Sequence, residues 1–179
     1  MKFNRTTPVI VNEIYYEKAL ESKSQFVVFE MGDFISLKDR VDELKEMKKE
    51  VFVKINEIEG LKEDDDATME FLKSIGVFGI TSNKTKVLTK AKKIGLKTVY
   101  TAFVFDTKSF GTTLKNIKTI NPDIIEVRPG LMTKVIKIIK EENPNIPIWS
   151  TGLITEEVEI DEALNCGAQT VVTSKIELW

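Results

Sequence analysis

The stretch Ile124-Ile125-Glu126-Val127-Arg128-Pro129-Gly130-Leu131-Met132-Thr133-Lys134-Val135-Ile136-Lys137-Ile138-Ile139-Lys140 decides the architecture. Its opening residues, Ile124–Val127, are a short β-branched run of the kind that pairs into a sheet. After Pro129-Gly130 the period changes. Leu131, Val135, Ile138 and Ile139 fall at i, i+4, i+7 and i+8, while Lys134, Lys137 and Lys140 fall on the opposite side. That spacing predicts a helix with one face on a core and the other in water. A strand followed directly by such a helix is one βα unit.

The unit repeats in both directions along the chain. Apolar runs occur at Pro8–Val11, Phe26–Glu30, Val51–Ile55, Val77–Thr81, Thr98–Ala102, Ile124–Val127, Ile146–Trp149 and Thr170–Thr173. They do not alternate polar and apolar residues, which predicts strands covered on both faces of a parallel sheet. Asn12, Ser36, Asp65, Asp106, Asn121-Pro122 and Thr155-Glu156-Glu157 stand where elements should begin, and Gly76, Gly95 and Gly167 where helices should end. Eight strands in a chain of 179 residues predict one domain, 1–179, folded as a compact (β/α)8 TIM-type barrel. Its last helix is cut to Ile176–Trp179. The competing open doubly wound sheet more often carries a glycine-rich first turn, and Val11-Asn12-Glu13-Ile14 has no glycine.

Composition narrows the chemistry. An apolar fraction of 42% and a charged fraction of 30% suit a soluble domain. No apolar run is long enough to span a membrane, and the start lacks the apolar core of a signal peptide. The single Cys166 excludes an internal disulfide and fits a reducing cytoplasm; its place in a helix-to-strand turn suits packing better than reactivity. The chain has no histidine, so zinc sites and Ser-His or Cys-His nucleophiles lack their parts. Neither a metal nor a cofactor is expected, and an enzyme would have to rely on Lys, Asp or Glu.

In a barrel the functional groups collect at the C-terminal strand ends. Here those ends include Glu30, Asp33, Lys54, Ser82, Lys84, Glu126, Gly130, Thr151, Gly152, Thr173 and Ser174. Strand ends are polar in most proteins because they meet water. The last two are more pointed: Ser150-Thr151-Gly152 and Thr173-Ser174 fit a phosphate site after strands seven and eight, with glycine admitting the anion and hydroxyls and amides binding it. Lys54 lies near Glu57 and Glu59, which favours ion pairing or ligand binding over a Schiff-base role. Glu30 and Glu126 fit either an acid/base pair or hydroxyl binding.

The formal net charge of -2 hides a segregation. Residues 1–83 are net -5, residues 84–140 carry 13 Lys/Arg against 3 Asp/Glu for +10, and residues 141–179 are net -7. Lys86, Lys90 and Lys93, then Lys115 and Lys118, then Lys134, Lys137 and Lys140 should line three neighbouring helices. Lysines on outer faces are ordinarily just solvated, but such faces mix both signs, and this one predicts a polyanionic partner. Aromatic residues are sparse in the block, so a base-stacking platform is not expected.

The sequence resembles the glycerol uptake operon antiterminator regulatory protein family. The matching phrases include Ile58-Glu59-Gly60-Leu61, Gly79-Ile80-Thr81-Ser82, Phe103-Val104-Phe105-Asp106, Asp123-Ile124-Ile125-Glu126-Val127-Arg128-Pro129-Gly130, Gly152-Leu153-Ile154 and the ending Glu177-Leu178-Trp179. The resemblance implies a barrel that senses glycerol 3-phosphate at its mouth and, when liganded, binds the leader mRNA of a glycerol-utilisation operon to prevent termination. It implies no membrane partner and leaves a homo-oligomer open. The chain departs from the family pattern at three places. Lys54-Ile55-Asn56 replaces a His-x-Asp phrase, Thr151-Gly152 a Gly-Gly, and Thr101 an arginine. The alternatives are a small phosphosugar-processing barrel enzyme, a lyase or isomerase, and a degenerate sensor that binds a protein.

Overall fold

The computed structural model describes residues 1–179. Eight parallel strands pair in chain order and close, β1 against β8. They are β1 (Thr6–Ile10), β2 (Phe26–Phe29), β3 (Glu50–Lys54), β4 (Gly79–Ser82), β5 (Lys97–Phe103), β6 (Ile124–Arg128), β7 (Ile148–Thr151) and β8 (Thr170–Thr173). The helices between them are α1 (Glu13–Glu21), α2 (Phe34–Glu46), α3 (Asp66–Ser74), α4 (Thr85–Lys93), α5 (Thr107–Ile120), α6 (Thr133–Glu142) and α7 (Glu157–Asn165). Single 3-10 turns follow at Ile55–Glu57 and, in place of an eighth helix, at Ile176–Leu178. The predicted barrel and its truncated end are both present.

The boundaries differ from the sequence reading where a local rule intervenes. β1 begins at Thr6, because Thr7 turns inward and its hydroxyl meets that of Thr170 at 3.0 Å. β4 begins at Gly79 and not Val77; a Cβ there would lie 2.6 Å from the Lys97 carbonyl and from the Phe52 ring, so only glycine lets β5 close against it. β7 starts at Ile148, since Pro147 has no N–H to give a ladder. α2 is capped by Asp33, whose carboxylate accepts from the N–H groups of Ile35 and Ser36, three residues before the expected Ser36. α6 begins at Thr133, so Leu131 stays in the turn and is exposed. The buried stripe is Val135, Ile136 and Ile139, with Ile138 only half-buried. Gly76, Gly95 and Gly167 do take positive φ just past their helices.

Two cores result. A large one lies between strands and helices, and a smaller one fills the barrel with Val9, Phe26, Val28, Phe52, Val99, Ile124, Trp149 and Val172. Phe52 meets Trp149 edge-on at 4.9 Å, and Phe3 packs on Phe26 at 4.9 Å to plug the N-terminal end. Truncating one of these rings to alanine should cost about 3–5 kcal/mol. Side chains two residues on along a strand share the same face. One step above this plug, the inward positions are Glu30, Lys54, Thr101, Glu126 and Thr151. The interior therefore changes from hydrocarbon to charge within one layer.

Candidate functional site at the barrel mouth

That upper layer is a single chain of ion pairs. Lys54 Nζ donates to Glu30 Oε2 at 3.1 Å and lies 3.4 Å from Glu57. Arg128 Nη2 donates to Glu30 Oε1 at 3.3 Å and to Glu126 Oε1 at 2.8 Å. Thr101 Oγ1 donates to Glu126 Oε2 at 2.6 Å. Arg128 lies within the strand-end stretch Glu126–Gly130 but is not among the site residues singled out from sequence, yet it is the bridge of the network. It occupies the inward position two residues beyond Glu126, and that spacing was the available signal. Burial works to lower the pKa of its guanidinium, but the Glu126 and Glu30 carboxylates outweigh it and raise the group further above its ordinary value. Two of the three departures from the family pattern, Lys54 and Thr101, belong to this one network.

The network divides the mouth. On the β7–β8–β1 side lies a cavity of about 340 Å³ that takes in Glu30, Arg128, Thr151, Gly152, Thr173 and Ser174, together with Lys175. It falls at the small end of the roughly 300–1,000 Å³ usual for ligand pockets. Two of its groups, Arg128 Nε and Thr151 Oγ1, are buried with no hydrogen-bond partner. The backbone N–H groups of Gly152 and Ser174, both exposed at the cavity rim, make no hydrogen bond within the protein. Gly152 and Leu153 both take positive φ, 88° and 65°; the second is a conformation that a branched side chain adopts under strain. Lys175 N donates to Thr173 Oγ1, and the Trp179 indole N–H donates to the Thr173 carbonyl at 2.8 Å, which pins the tail beneath the cavity.

On the β3–β4–β5 side a second cavity, about 350 Å³, takes in Lys54, Ser82, Lys84 and Thr101. Its donors are engaged: Ser82 Oγ donates to Glu63 at 2.9 Å and Lys84 pairs with Glu63 at 2.6 Å. Three sequence candidates line neither cavity: Glu126, Asp33 and Gly130. Glu126 is fully buried and acts through Arg128 and Thr101. The Asp33 carboxylate is occupied as the α2 cap. Gly130 is buried behind Thr151, where a Cβ would meet the Thr151 nitrogen at 2.8 Å and Ser150 Oγ at 2.7 Å. It supports the cavity by permitting close packing of the β6 and β7 turns.

The basic block lies on α4, α5 and α6, side by side around the barrel. Its margins are engaged: Lys90 pairs with Asp66 at 2.7 Å and Lys118 reaches Glu142 at 3.9 Å, while Lys140 keeps its charge and donates to the Pro144 carbonyl. Lys86, Lys93, Lys115, Lys134 and Lys137 are exposed and have no carboxylate partner, as is Lys108 at the start of α5. No helix is long and apolar enough to cross a membrane.

The closed parallel sheet, with its polar C-terminal mouth, makes this a (β/α)8-barrel protein. Residues 7–179 match the glycerol-3-phosphate responsive antiterminator family, and the chain belongs to that family. It is similar to the glycerol uptake operon antiterminator regulatory protein of Listeria monocytogenes, with 27% identity, a TM-score of 0.91 and coverage of 98% of this chain and 95% of that one. A glycerol uptake operon antiterminator-related protein of Thermotoga maritima is 28% identical at a TM-score of 0.87, covering 99% and 98% of the two chains. YgcP, an uncharacterised protein of Escherichia coli strain K12, is 28% identical over 98% of this chain and 93% of its own.

Proposed function

We propose that the chain is a glycerol-3-phosphate-responsive transcription antiterminator. In this reading a small phosphorylated polyol occupies the β7–β8 cavity, and the liganded barrel binds the leader mRNA of a glycerol-utilisation operon. The observation that carries it is the pair of buried, partnerless donors, Arg128 Nε and Thr151 Oγ1, on one cavity wall. Leaving such a group unpaired costs about 1–3 kcal/mol, which a ligand oxygen would recover. The free amides of Gly152 and Ser174 suit a phosphate, with Lys175 as its counter-charge, and Glu30 suits a polyol hydroxyl. The unpaired lysines of α4 to α6 suit the RNA backbone. Lys54, which ion-pairs with Glu30 and Glu57, is in the opposite of the desolvated or cation-flanked setting that activates an amine. That argues against a Schiff-base enzyme.

The test is ligand linkage. At a hundred times its Kd, glycerol 3-phosphate should stabilise the fold by about 2.7 kcal/mol. For a domain of this size that raises Tm by roughly 5–11 °C. Glycerol should have no such effect. Unchanged melting across a millimolar titration removes glycerol 3-phosphate as the ligand. In parallel, leader-RNA binding at fixed salt should strengthen when glycerol 3-phosphate is present.

A further inference from the structure

We propose that Phe103 and Phe105 form a stacking platform for unpaired RNA bases, set on the barrel mouth beside the ligand cavity. The proposal rests on the antiterminator reading and adds the face by which the protein meets RNA. Both residues belong to the basic block, whose aromatic content in sequence gave no sign of a platform. The end of β5 and the two residues after it set them out in alternation: Phe103 is 39% exposed, Val104 is buried at 3% and Phe105 is 78% exposed. The two rings lie nearly parallel, 11° apart, with centroids at 6.1 Å.

The loop is built to hold them there. Ser109 Oγ accepts from the N–H groups of Phe105 and Asp106 at 2.9 and 3.0 Å, and the Asp106 carboxylate accepts from Ser109 N at 2.7 Å. A phenylalanine fixed in water by a capping box forgoes hydrophobic burial with no gain to the fold. An open aromatic face is what a base requires, because every base has a π-face to stack. Lys108 shares one surface cavity with both rings and fits the sugar-phosphate chain, while the Asp106 carboxylate of the same cavity is engaged by Ser109 N.

The position also accounts for a response to ligand. Arg128, Thr151, Gly152 and Leu153 line the anion cavity and also the apolar hollow beside Phe103 and Phe105. A ligand that reorders Arg128 and the Gly152–Leu153 turn therefore changes one wall of the platform. Coupling needs no longer path than these shared side chains.

The experiment measures affinity for a glycerol-operon leader transcript and for a short oligoadenylate, with and without glycerol 3-phosphate, across a salt series. The proteins compared are the unmodified chain, Phe105→Ala, Phe105→Trp and Lys108→Ala. Phe105→Ala should lose about five- to 150-fold in affinity, the range for one stacked base. Its salt slope and its glycerol 3-phosphate melting shift should not change, and Phe105→Trp should bind as well as the unmodified chain. Lys108→Ala should instead lower the salt slope by about 0.7, one single-strand phosphate contact. Full affinity in Phe105→Ala overturns the platform and leaves the antiterminator reading intact. No RNA binding by the unmodified chain overturns both. If the unmodified chain is an oligomer that Phe105→Ala dissociates, the patch joins copies of this chain, and the platform is again wrong.

Discussion

Replacing Arg128 with methionine removes the one cation that touches both mouth glutamates. Glu126 has a side chain only 1% exposed and is left with a single hydrogen bond, from Thr101. Glu30, at 12%, keeps Lys54. The damage therefore concentrates on Glu126, a buried carboxylate left with no counter-ion. Removing one partner of a buried pair in this way costs about 3–5 kcal/mol. For a domain of 150–250 residues each kcal/mol moves Tm by roughly 2–4 °C, so a fall of about 6–20 °C is expected. The signature lies in the double variant. Glu126→Gln added to Arg128→Met removes the stranded charge, and the amide still accepts from Thr101, so most of the loss should return. The single Glu126→Gln leaves Arg128 its contact with Glu30 and should cost less than Arg128→Met. Thermal melts of the four proteins at neutral pH complete the cycle. If Arg128→Met melts within 2 °C of the parent, or if adding Glu126→Gln makes it worse, the network is not what balances charge in the mouth.

Two further outcomes separate binding from folding. Thr151→Val removes a buried hydroxyl that has no partner, so stability should hold or rise by up to about 1 kcal/mol, while the melting shift given by glycerol 3-phosphate shrinks. A lower Tm in that variant would mean the hydroxyl is satisfied in solution. Asp123 sits on the N-terminal side of the barrel and accepts from Lys97 Nζ at 2.8 Å, from Thr98 N at 3.0 Å and from Thr98 Oγ1 at 2.9 Å. Burial works to raise its pKa, but these donors outweigh burial and hold it below the ordinary 3.8. Its contribution is therefore present above pH 3.8 and is lost as pH falls through the folded-state value. Asp123→Asn should cost about 1.5–3 kcal/mol at pH 7, and the gap from the parent should close in acid denaturation below that range. A gap that persists undiminished at low pH would rule out the ionised carboxylate as its source.

Most of the fold was legible because a βα unit advertises itself twice, once by an unbroken apolar run and once by a change of period. Ile124–Lys140 shows both, and the same grammar located every strand. Its failures are confined to edges. Val77 and Ile146 are apolar and read as strand, but pairing waits for Gly79, where β5 presses close, and for Ile148, the first residue past Pro147. The first constraint comes from the neighbouring strand and is invisible in the chain taken alone; the second, Pro147, is written in the sequence. Thr6 and Thr7 are hidden for the complementary reason: a threonine that meets Thr170 across the β1–β8 seam is buried only after the sheet has closed.

The mouth was legible in composition but not in its pairing, and the difference is physical. Glu30, Lys54 and Glu126 are marked by polarity at strand ends, while Arg128 lies one residue past the strand that the sequence predicts. Inward-facing residues recur every second position, so the strand that contributes Ile124 to the plug must contribute Glu126 and then Arg128 above it. Applied to β5, the same count runs Val99, Thr101, Phe103, and one more step of the alternation exposes Phe105. Arg128 and Phe103 are thus the third members of two inward series, each one residue past the strand end that the sequence predicts, and Phe105 is the fourth of its series. A parallel barrel has no reason to stop its strands at that point: the ladder is continued by backbone groups, which are indifferent to side-chain polarity. What stops being hydrophobic at the top of this barrel is the cargo of the strand rather than the strand itself. The residues best placed to meet a ligand or an RNA are therefore those lying one period beyond the last aliphatic side chain.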